Sequence, residues 1–155
     1  MDIAIFKIAD KEYGVDIKQV RHVIRMKEIV TIPDSADFVE GVISLRGKVI
    51  PLLNLRKKFS LKSENSKKEN RIIITQIKEH LIGVLVDEVL NVANIEHGAI
   101  TPPDKFLKDA SYLTGVIKIG NRLILLIDFE KILSVDDETG IKNVHERVEV
   151  RKKNA

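Results

Sequence analysis

The sequence predicts an all-β protein with a few short helices, folded as two packed β-barrel lobes related by an internal duplication. Two observations lead to this fold class. Short runs of β-branched residues end at Gly, Pro and Asp, which is typical of strands joined by turns. One hairpin pattern also occurs twice along the chain. Repeated units of roughly 70 residues close best as compact barrels, because closure removes exposed sheet edges.

The clearest hairpin lies in the stretch 41–59, GVISLRGKVIPLLNLRKKF. Two apolar runs flank Arg46 and Gly47, and Gly47 supplies the positive φ that a tight hairpin turn usually needs. Arg46 is therefore predicted at a hairpin tip without a buried partner. Pro51 cannot donate a hydrogen bond to a sheet, so its strand is predicted at a sheet edge or at a bulge.

The stretch 115–133, GVIKIGNRLILLIDFEKIL, repeats this hairpin when Gly41 is laid on Gly115, but its tip is Gly120-Asn121 and carries no arginine. We call this the hairpin match. A second correspondence, the N-terminal match, lays Gly14 on Gly83 and relates the start of the chain to the segment after residue 70. The matched apolar positions are Ile3, Ile5 and Ile8 with Ile72, Ile74 and Ile77, and Ile50 and Leu52 with Ile124 and Leu126. We interpret the chain as two copies of one β-rich unit, the alternative being a chance likeness between apolar hairpins.

The elements before the first tip are also short. Residues 3–17 predict a hairpin, and residues 16–26 predict a short helix that runs into a strand. Asp34 or Ser35 is a candidate cap for one helical turn over residues 36–39.

Domain boundaries follow from the polar segments. We expect one domain over residues 1–135, with a first lobe over roughly 14–66 and a second over 71–135; the N-terminal strand is a candidate member of the other lobe. The intervening residues 61–70 predict an exposed loop. The charged tail, 136–155, has apolar positions that fit either one helical stripe or a loose end: Ile141, Val144 and Val148.

Composition excludes several classes of function. With 44% apolar and 32% charged residues, the chain is typical of a globular protein rather than a disordered one. The chain has no Cys, and its four His lack metal-site spacing. No phosphate-binding glycine loop or nucleophile motif occurs, so we expect a binding or scaffold role without catalysis or a cofactor. The chain lacks an apolar run of membrane-span length and the layout of a signal peptide, which predicts a cytoplasmic location.

Positive charge is concentrated in residues 46–71, where nine Lys and Arg face two Glu, a balance of +7 in a chain of net charge +3. Such a cluster fits a solvated loop region, an acidic protein face or nucleic acid. A small barrel that binds nucleic acid through this cluster is therefore the alternative function. Two Tyr, five Phe and no Trp leave little for a base-stacking platform.

The stretch 41–59 resembles the signature of the CheW-like coupling proteins of bacterial chemotaxis, whose pattern is close to GVINLRGxVIPVIDLRxRF. The likeness continues through residues 71–73, 83–89, 115–117 and 126–128, and it covers roughly residues 3–135. The length of the chain suits a stand-alone adaptor of this family.

This resemblance implies two five-stranded β-barrels and no catalysis. It implies an adaptor that connects transmembrane chemoreceptors to the histidine kinase CheA in the cytoplasm, at receptor arrays. Arg46, with Gly47 beside it, is the implied receptor contact. Val20, Val23 and Val42 are candidate walls of a groove between the barrels that receives the receptor's helical hairpin tip. The kinase contact, to the regulatory domain of CheA, is implied at the barrel ends on unspecified residues, and assembly into rings stays open.

The sequence departs from the family pattern at three positions. His22 stands where Glu is usual, Ser44 where Asn is common, and Asn54 where Asp is common. His22 is kept as a candidate receptor-binding residue, and the three changes together fit either an adaptor of a divergent array or one with an atypical receptor.

Overall fold

A computed structural model of the chain describes residues 1–61, 67–103 and 111–132. They form two β-sheets with two short α-helices and two 3₁₀ turns. The strands are β1 (Asp2–Ile8), β2 (Lys11–Asp16), β3 (His22–Arg25), β4 (Val39–Leu45), β5 (Lys48–Asn54), β6 (Arg71–Ile77), β7 (His80–Val86), β8 (Glu88–Asn94), β9 (Ile100–Thr101), β10 (Leu113–Ile119) and β11 (Arg122–Ile127). The helices are α1 (Leu55–Lys58) and α2 (Phe129–Ile132), and the 3₁₀ turns are Ile17–Gln19 and His97–Ala99. The predicted all-β class with short helices is confirmed.

The strands form a six-stranded sheet, β8-β1-β2-β11-β10-β9, and a five-stranded sheet, β3-β6-β7-β5-β4. The expectation of two closed five-stranded barrels is wrong in two respects: one sheet has six strands, and strand pairing in the described part of the chain leaves both sheets open. The sheets bury apolar surface against each other instead. Their shared core joins Phe6 and Tyr13 of the larger sheet to Ile73 and Val84 of the smaller one.

The two halves of the chain exchange their first hairpins. β1 and β2 lie in the six-stranded sheet beside β11, whereas β6 and β7 lie in the five-stranded sheet beside β5. The whole first hairpin, and not only the N-terminal strand, thus joins strands of the second half. The predicted lobe ranges, 14–66 and 71–135, do not follow the sheets for this reason. The predicted tail, 136–155, lies outside the described residues.

Parallel ladders hold the exchanged hairpins in place. Gly14 of β2 lies opposite Leu126 of β11, and Gly83 of β7 lies opposite Leu52 of β5. The N-terminal match relates the two glycines, and the hairpin match relates the two leucines. A Cβ at position 83 would lie 2.9 Å from Cγ2 of Ile72, so glycine permits close packing beneath the ladder.

Each sheet also encloses its own apolar cluster. The larger sheet buries Ile3, Ile5, Ile117, Ile124 and Leu126, and the smaller sheet buries Ile72, Ile74, Ile43, Ile50 and Leu52. These members of the two clusters correspond one to one under the two sequence matches. The predicted duplication is therefore visible in the packing as well as in the order of the strands.

β1 is buried on both faces. Alternate side chains point to opposite sides of a strand, so Phe6 and Ile8 enter the shared core while Ile3 and Ile5 enter the inner cluster. A strand with two buried faces needs a nearly continuous apolar run, which explains the run IAIFKI at residues 3–8.

Two local predictions have different outcomes. The short helix running into a strand is confirmed, since Ile17–Gln19 forms a 3₁₀ turn and β3 follows it. Asp16 caps that turn by accepting a hydrogen bond from the N–H of Lys18 at 3.0 Å. The helical turn predicted over residues 36–39 is a hydrogen-bonded turn instead, and the hydroxyl of Ser35 donates to the carbonyl of Ile32 at 2.9 Å rather than capping it.

Pro51 was predicted at a sheet edge or at a bulge. The edge position is wrong, because β5 lies between β7 and β4, and the bulge lies in the partner strand β4, between Val39 and Gly41. The parallel ladder to β7 begins one residue later, at Leu52. On the other side Pro51 faces Val42, whose N–H and carbonyl both bond to Val30 at 2.9 Å. The missing N–H of the proline therefore costs the interior strand no hydrogen bond on either side.

Candidate functional site

The turn at Arg46 and Gly47 joins β4 to β5 through two residues. Leu45 pairs with Lys48 across the turn, and φ is +51° at Arg46 and +79° at Gly47. Positive φ at both central positions is the type I′ geometry that suits the twist of a hairpin. A Cβ at position 47 would meet no described atom within 4 Å, so the tip stands clear of the sheet. The hairpin predicted from the sequence is confirmed.

Arg46 is exposed at this tip. Its guanidinium makes no hydrogen bond or ion pair with any described residue. The side chain is therefore available to another molecule, and the short two-residue turn fixes the point from which it extends.

Arg46 lines a groove of about 330 Å³ on the five-stranded sheet. The lining comes from all five strands and the turns beside them: Arg21, His22, Leu45, Arg46, Lys48, Ile50, Ile74, Gln76, Glu79 and Leu81. Ile50 and Ile74 are fully buried and form an apolar floor. Because β6 and β7 belong to the second half of the chain, the hairpin exchange is what completes this groove.

The rim of the groove is mainly basic. Arg21 donates a hydrogen bond to the amide oxygen of Gln76 at 2.8 Å and keeps its charge uncompensated. Lys48 and Arg46 have no carboxylate partner among the described residues. Glu79 is the one acidic member of the lining. Three permanent cations thus face one carboxylate, before any charge on His22 is counted.

The predicted site residues do not all come together. His22 and Arg46 share the groove, and Gly47 forms the turn beside it. Val23 is 44% exposed on β3, whereas Val20 packs on the shared core and Val42 is only 7% exposed within a core cluster. None of these three valines belongs to the described lining of the groove.

Two lining cations, Arg21 and Lys48, were missed by the sequence argument. Each lies within two positions of a residue that was predicted, Arg21 beside His22 and Lys48 near Arg46. Basic residues flank Gly47 at positions 46 and 48, which was the available sequence signal. That pattern cannot predict that β3 and β4 are the two edge strands of the same sheet.

The basic cluster of residues 46–71 is not one continuous surface. Arg56 is 8% exposed and pairs with Asp87, and Lys57 pairs with Glu40 at 2.9 Å. Lys58 lies 4.8 Å from the centre of the Phe38 ring. At least three of the nine basic residues of the cluster therefore make contacts within the fold.

Asp87 and Arg56 lie in a larger cavity of about 560 Å³. Asp87 accepts hydrogen bonds from Nε of Arg56 at 3.0 Å and from the N–H of Ala9 at 2.7 Å, and Nη2 of Arg56 completes a two-point contact with it. A carboxylate with these partners holds structure rather than a ligand.

Metal ligation has little support in the described residues, because no three His, Asp or Glu side chains are grouped there to hold an ion. None of the helices described is long and apolar enough to cross a bilayer.

Comparisons with known proteins all indicate the same family. A family model described as the CheW-like domain matches residues 2–137. The chemotaxis protein CheW of Klebsiella aerogenes is 30% identical over 145 residues, which cover 92% of this chain and 87% of that protein. The CheW of Thermotoga maritima is 34% identical over 135 residues, or 85% of this chain and 87% of that protein.

A solved structure has the same fold. The crystal structure of the scaffolding protein TtCheW from Thermoanaerobacter tengcongensis aligns with a TM-score of 0.80 at 34% identity. The alignment covers 88% of this chain and 89% of that one. The match therefore spans both sheets rather than a single hairpin motif.

Proposed function

The chain belongs to the CheW-like family, and we propose from this premise that it is a non-enzymatic chemotaxis scaffold that couples transmembrane chemoreceptors to a CheA-type histidine kinase. The observation that carries the proposal is the match of the CheW-like domain to residues 2–137. The alternative of a nucleic-acid-binding barrel has no support from the comparisons, and the ion pairs of Arg56 and Lys57 break up the cluster on which it depended.

The receptor contact in this proposal is the groove that holds Arg46 and His22. A receptor tip is a helical hairpin, and a helix laid in a groove needs apolar side chains below it and a few polar anchors beside it. The half-buried side chains of Leu45 and Leu81 supply accessible apolar surface, above the buried Ile50 and Ile74. The planar fork of the Arg46 guanidinium is suited to carbonyl and carboxylate oxygens.

The remaining parts of the proposal concern the kinase and the array. The kinase's regulatory domain is proposed to bind at the ends of the two lobes, on residues not yet assigned. The protein then works on the cytoplasmic side of the membrane, held at receptor arrays by its partners. Ring assembly with the kinase or with further copies belongs to the same proposal.

Replacement of Arg46 tests the receptor contact. Arg46→Asp suits the positive φ of the turn, since Asp-Gly is a favoured type I′ sequence, so the thermal midpoint should stay nearly unchanged. Truncation of an arginine hot spot costs about 2 kcal/mol or more, and charge reversal at this position should abolish co-sedimentation with receptor-containing membranes. Lys118→Asp, an exposed change on β10 of the other sheet, is the matched control and should retain binding.

Retained receptor binding by Arg46→Asp would overturn the assigned role. The kinase contact needs its own measurement, which is titration calorimetry of the full chain with the regulatory domain of the kinase. No heat and no shift with that domain would count against the coupling function as a whole.

A further inference from the structure

The duplicated fold supplies an internal comparison for the groove. Lys48 corresponds to Arg122 in the hairpin match, and Leu81 corresponds to Glu12 in the N-terminal match. Nε of Arg122 donates to Glu12 at 3.0 Å, and Nη2 donates to the same carboxylate at 2.6 Å. In the larger sheet the charge of Arg122 is therefore balanced by the carboxylate of Glu12. In the five-stranded sheet a leucine replaces the carboxylate, and Lys48 is left without a partner among the described residues.

Other positions of the groove show the same asymmetry. Arg46 corresponds to Gly120 and His22 corresponds to Asn91, so neither basic group is repeated in the larger sheet. The single acid of the groove, Glu79, has an acidic counterpart. The two surfaces share their backbone framework and their buried isoleucines, so the fold does not require the extra positive charge. It is particular to the five-stranded sheet.

We propose that the groove binds an amphipathic helix whose apolar stripe is flanked by carboxylates, and that Lys48 and His22 determine this preference. The inference rests on the proposed function, because it specifies the chemistry of the receptor tip that this chain selects. The rim cations and the aliphatic floor match the two components of such a helix. Specificity arises because a partner with basic flanks would place like charges together at Arg21, Arg46 and Lys48.

A protein helix fits the groove better than a nucleic acid does. Phosphates would also satisfy the rim cations, but single-stranded nucleic acid gains much of its affinity from bases stacked on aromatic rings. Among the described residues that line the groove there is no Phe, Tyr or Trp, and His22 is the one ring on which a base could stack. Leu45 and Leu81 are half-buried and offer aliphatic surface, which suits the apolar face of a helix.

Two synthetic two-helix hairpins test the inference. Both have the same apolar seam, and one is flanked by Glu where the other is flanked by Lys. We expect the full chain to bind the Glu-flanked hairpin about 10-fold more tightly at about 50 mM NaCl, measured by fluorescence anisotropy, with a preference that declines at about 300 mM NaCl because salt screens exposed charges. Lys48→Glu should weaken binding of the Glu-flanked hairpin about 3- to 10-fold, and His22→Glu should act in the same direction.

Lys118→Glu is the matched control, since it makes the same charge change on the other sheet and should alter affinity less than twofold. Equal affinity for the two hairpins, tighter binding of the Lys-flanked one, or no binding of either at about 1 mM overturns the inference. Displacement of the Glu-flanked hairpin by single-stranded DNA at equal concentration also overturns it, because the groove would then be a phosphate site.

A receptor tip fragment separates this inference from the proposed function. If the fragment binds, loses binding with Arg46→Asp, and yet responds neither to salt nor to Lys48→Glu, the charge preference is wrong and the function stands. If the Glu-flanked hairpin binds as expected and the receptor fragment does not, the function is wrong and the charge preference stands.

Discussion

The carboxylate of Asp87 joins the two sheets through Arg56, whose Nε donates to it at 3.0 Å. Arg56 lies in α1, directly after β5 of the five-stranded sheet, and the same carboxylate accepts the N–H of Ala9 in the turn between β1 and β2 of the larger sheet. Ala9 has a φ of +57°, a conformation that this hydrogen bond helps to hold. The contact therefore links the exchanged hairpin, β1 and β2, to α1, which belongs to the same half of the chain but follows a strand of the other sheet.

Asp87→Ala should destabilise the protein by about 2 kcal/mol, which is below the usual range for breaking a buried pair because Asp87 keeps some solvent contact. The cause is the guanidinium of Arg56, which is 8% exposed and would lose its carboxylate. Urea unfolding measures the loss. Glu88→Ala, one residue along, is the control and should stay within about 0.5 kcal/mol. Equal losses in the two variants would contradict this account.

Gly41→Ala should cost about 2 kcal/mol or more, since overpacking and backbone strain act together at this position. Its φ is +148°, and a Cβ there would lie 2.3 Å from the carbonyl oxygen of Val30. The bulge in β4 and the bridge between Val30 and Val42 would both have to move. Gly98→Ala is the control, because a Cβ there meets no described atom within 4 Å. Thermal unfolding should show a large drop for the first variant and almost none for the second.

Glu40 predicts a pH dependence of stability. Burial alone would raise the pKa of this carboxyl, but hydrogen bonds from Lys57 and Asn54 and the charge of Lys57 hold it below its ordinary value of 4.5. A lowered pKa in the folded state stabilises the protein above pH 4.5, and that contribution is lost as the pH falls through the folded-state pKa. Glu40→Gln should therefore be less stable than the parent at pH 7, and the gap should close towards pH 3. A gap of constant size from pH 7 to pH 3 in urea unfolding would refute this linkage.

The sequence predicted what depends on local chemistry and on repeated spacing. The tip at Arg46 and Gly47 follows from turn residues, and the matched inner clusters follow from burial at equivalent positions in two copies, such as Ile50 and Ile124. The N-terminal strand was a candidate member of the other lobe, but the exchange of whole hairpins could not be predicted in this way. Strand periodicity states which face is buried but not which strand is the neighbour, and the ladder of β2 with β11 joins segments from opposite ends of the described chain.

The candidate site was only partly predictable for the same reason. Arg46 and His22 were found by their places in a motif, whereas their meeting in one groove depends on β6 and β7 lying between β3 and β5. Val42 was expected at a groove wall, but the bulge at Gly41 and the bridge to Val30 turn it into the core. The ion pair of Arg122 likewise depends on the tertiary structure, because its partner Glu12 is distant in sequence.

The hairpin exchange itself can be tested with engineered disulfides, because the chain has no cysteine of its own. Asp2 lies opposite Asn94 on adjacent antiparallel strands, and the amide of Asn94 donates to the carboxylate of Asp2 at 2.7 Å. Opposed residues in such a ladder have Cα atoms about 4.5–5.5 Å apart, which is within disulfide range. Without the exchange, Asp2 would instead lie opposite Arg25, since the equivalent residue Arg71 pairs with Arg25.

The double variant Asp2→Cys/Asn94→Cys should therefore form an intrachain disulfide under mild oxidation, whereas Asp2→Cys/Arg25→Cys should keep two free thiols. All three positions are exposed, so both variants should fold when reduced. A disulfide between positions 2 and 94 closes a long loop and so restricts the unfolded chain. It should stabilise the first variant by up to about 4 kcal/mol, less any strain in the bond. Thiol titration and non-reducing electrophoresis identify the cross-link, and the thermal midpoint with and without reductant measures its effect. A disulfide in the Arg25 variant but not in the Asn94 variant would mean that each half keeps its own hairpin, and the groove, which needs β6 and β7 beside β3 and β5, would then be built differently.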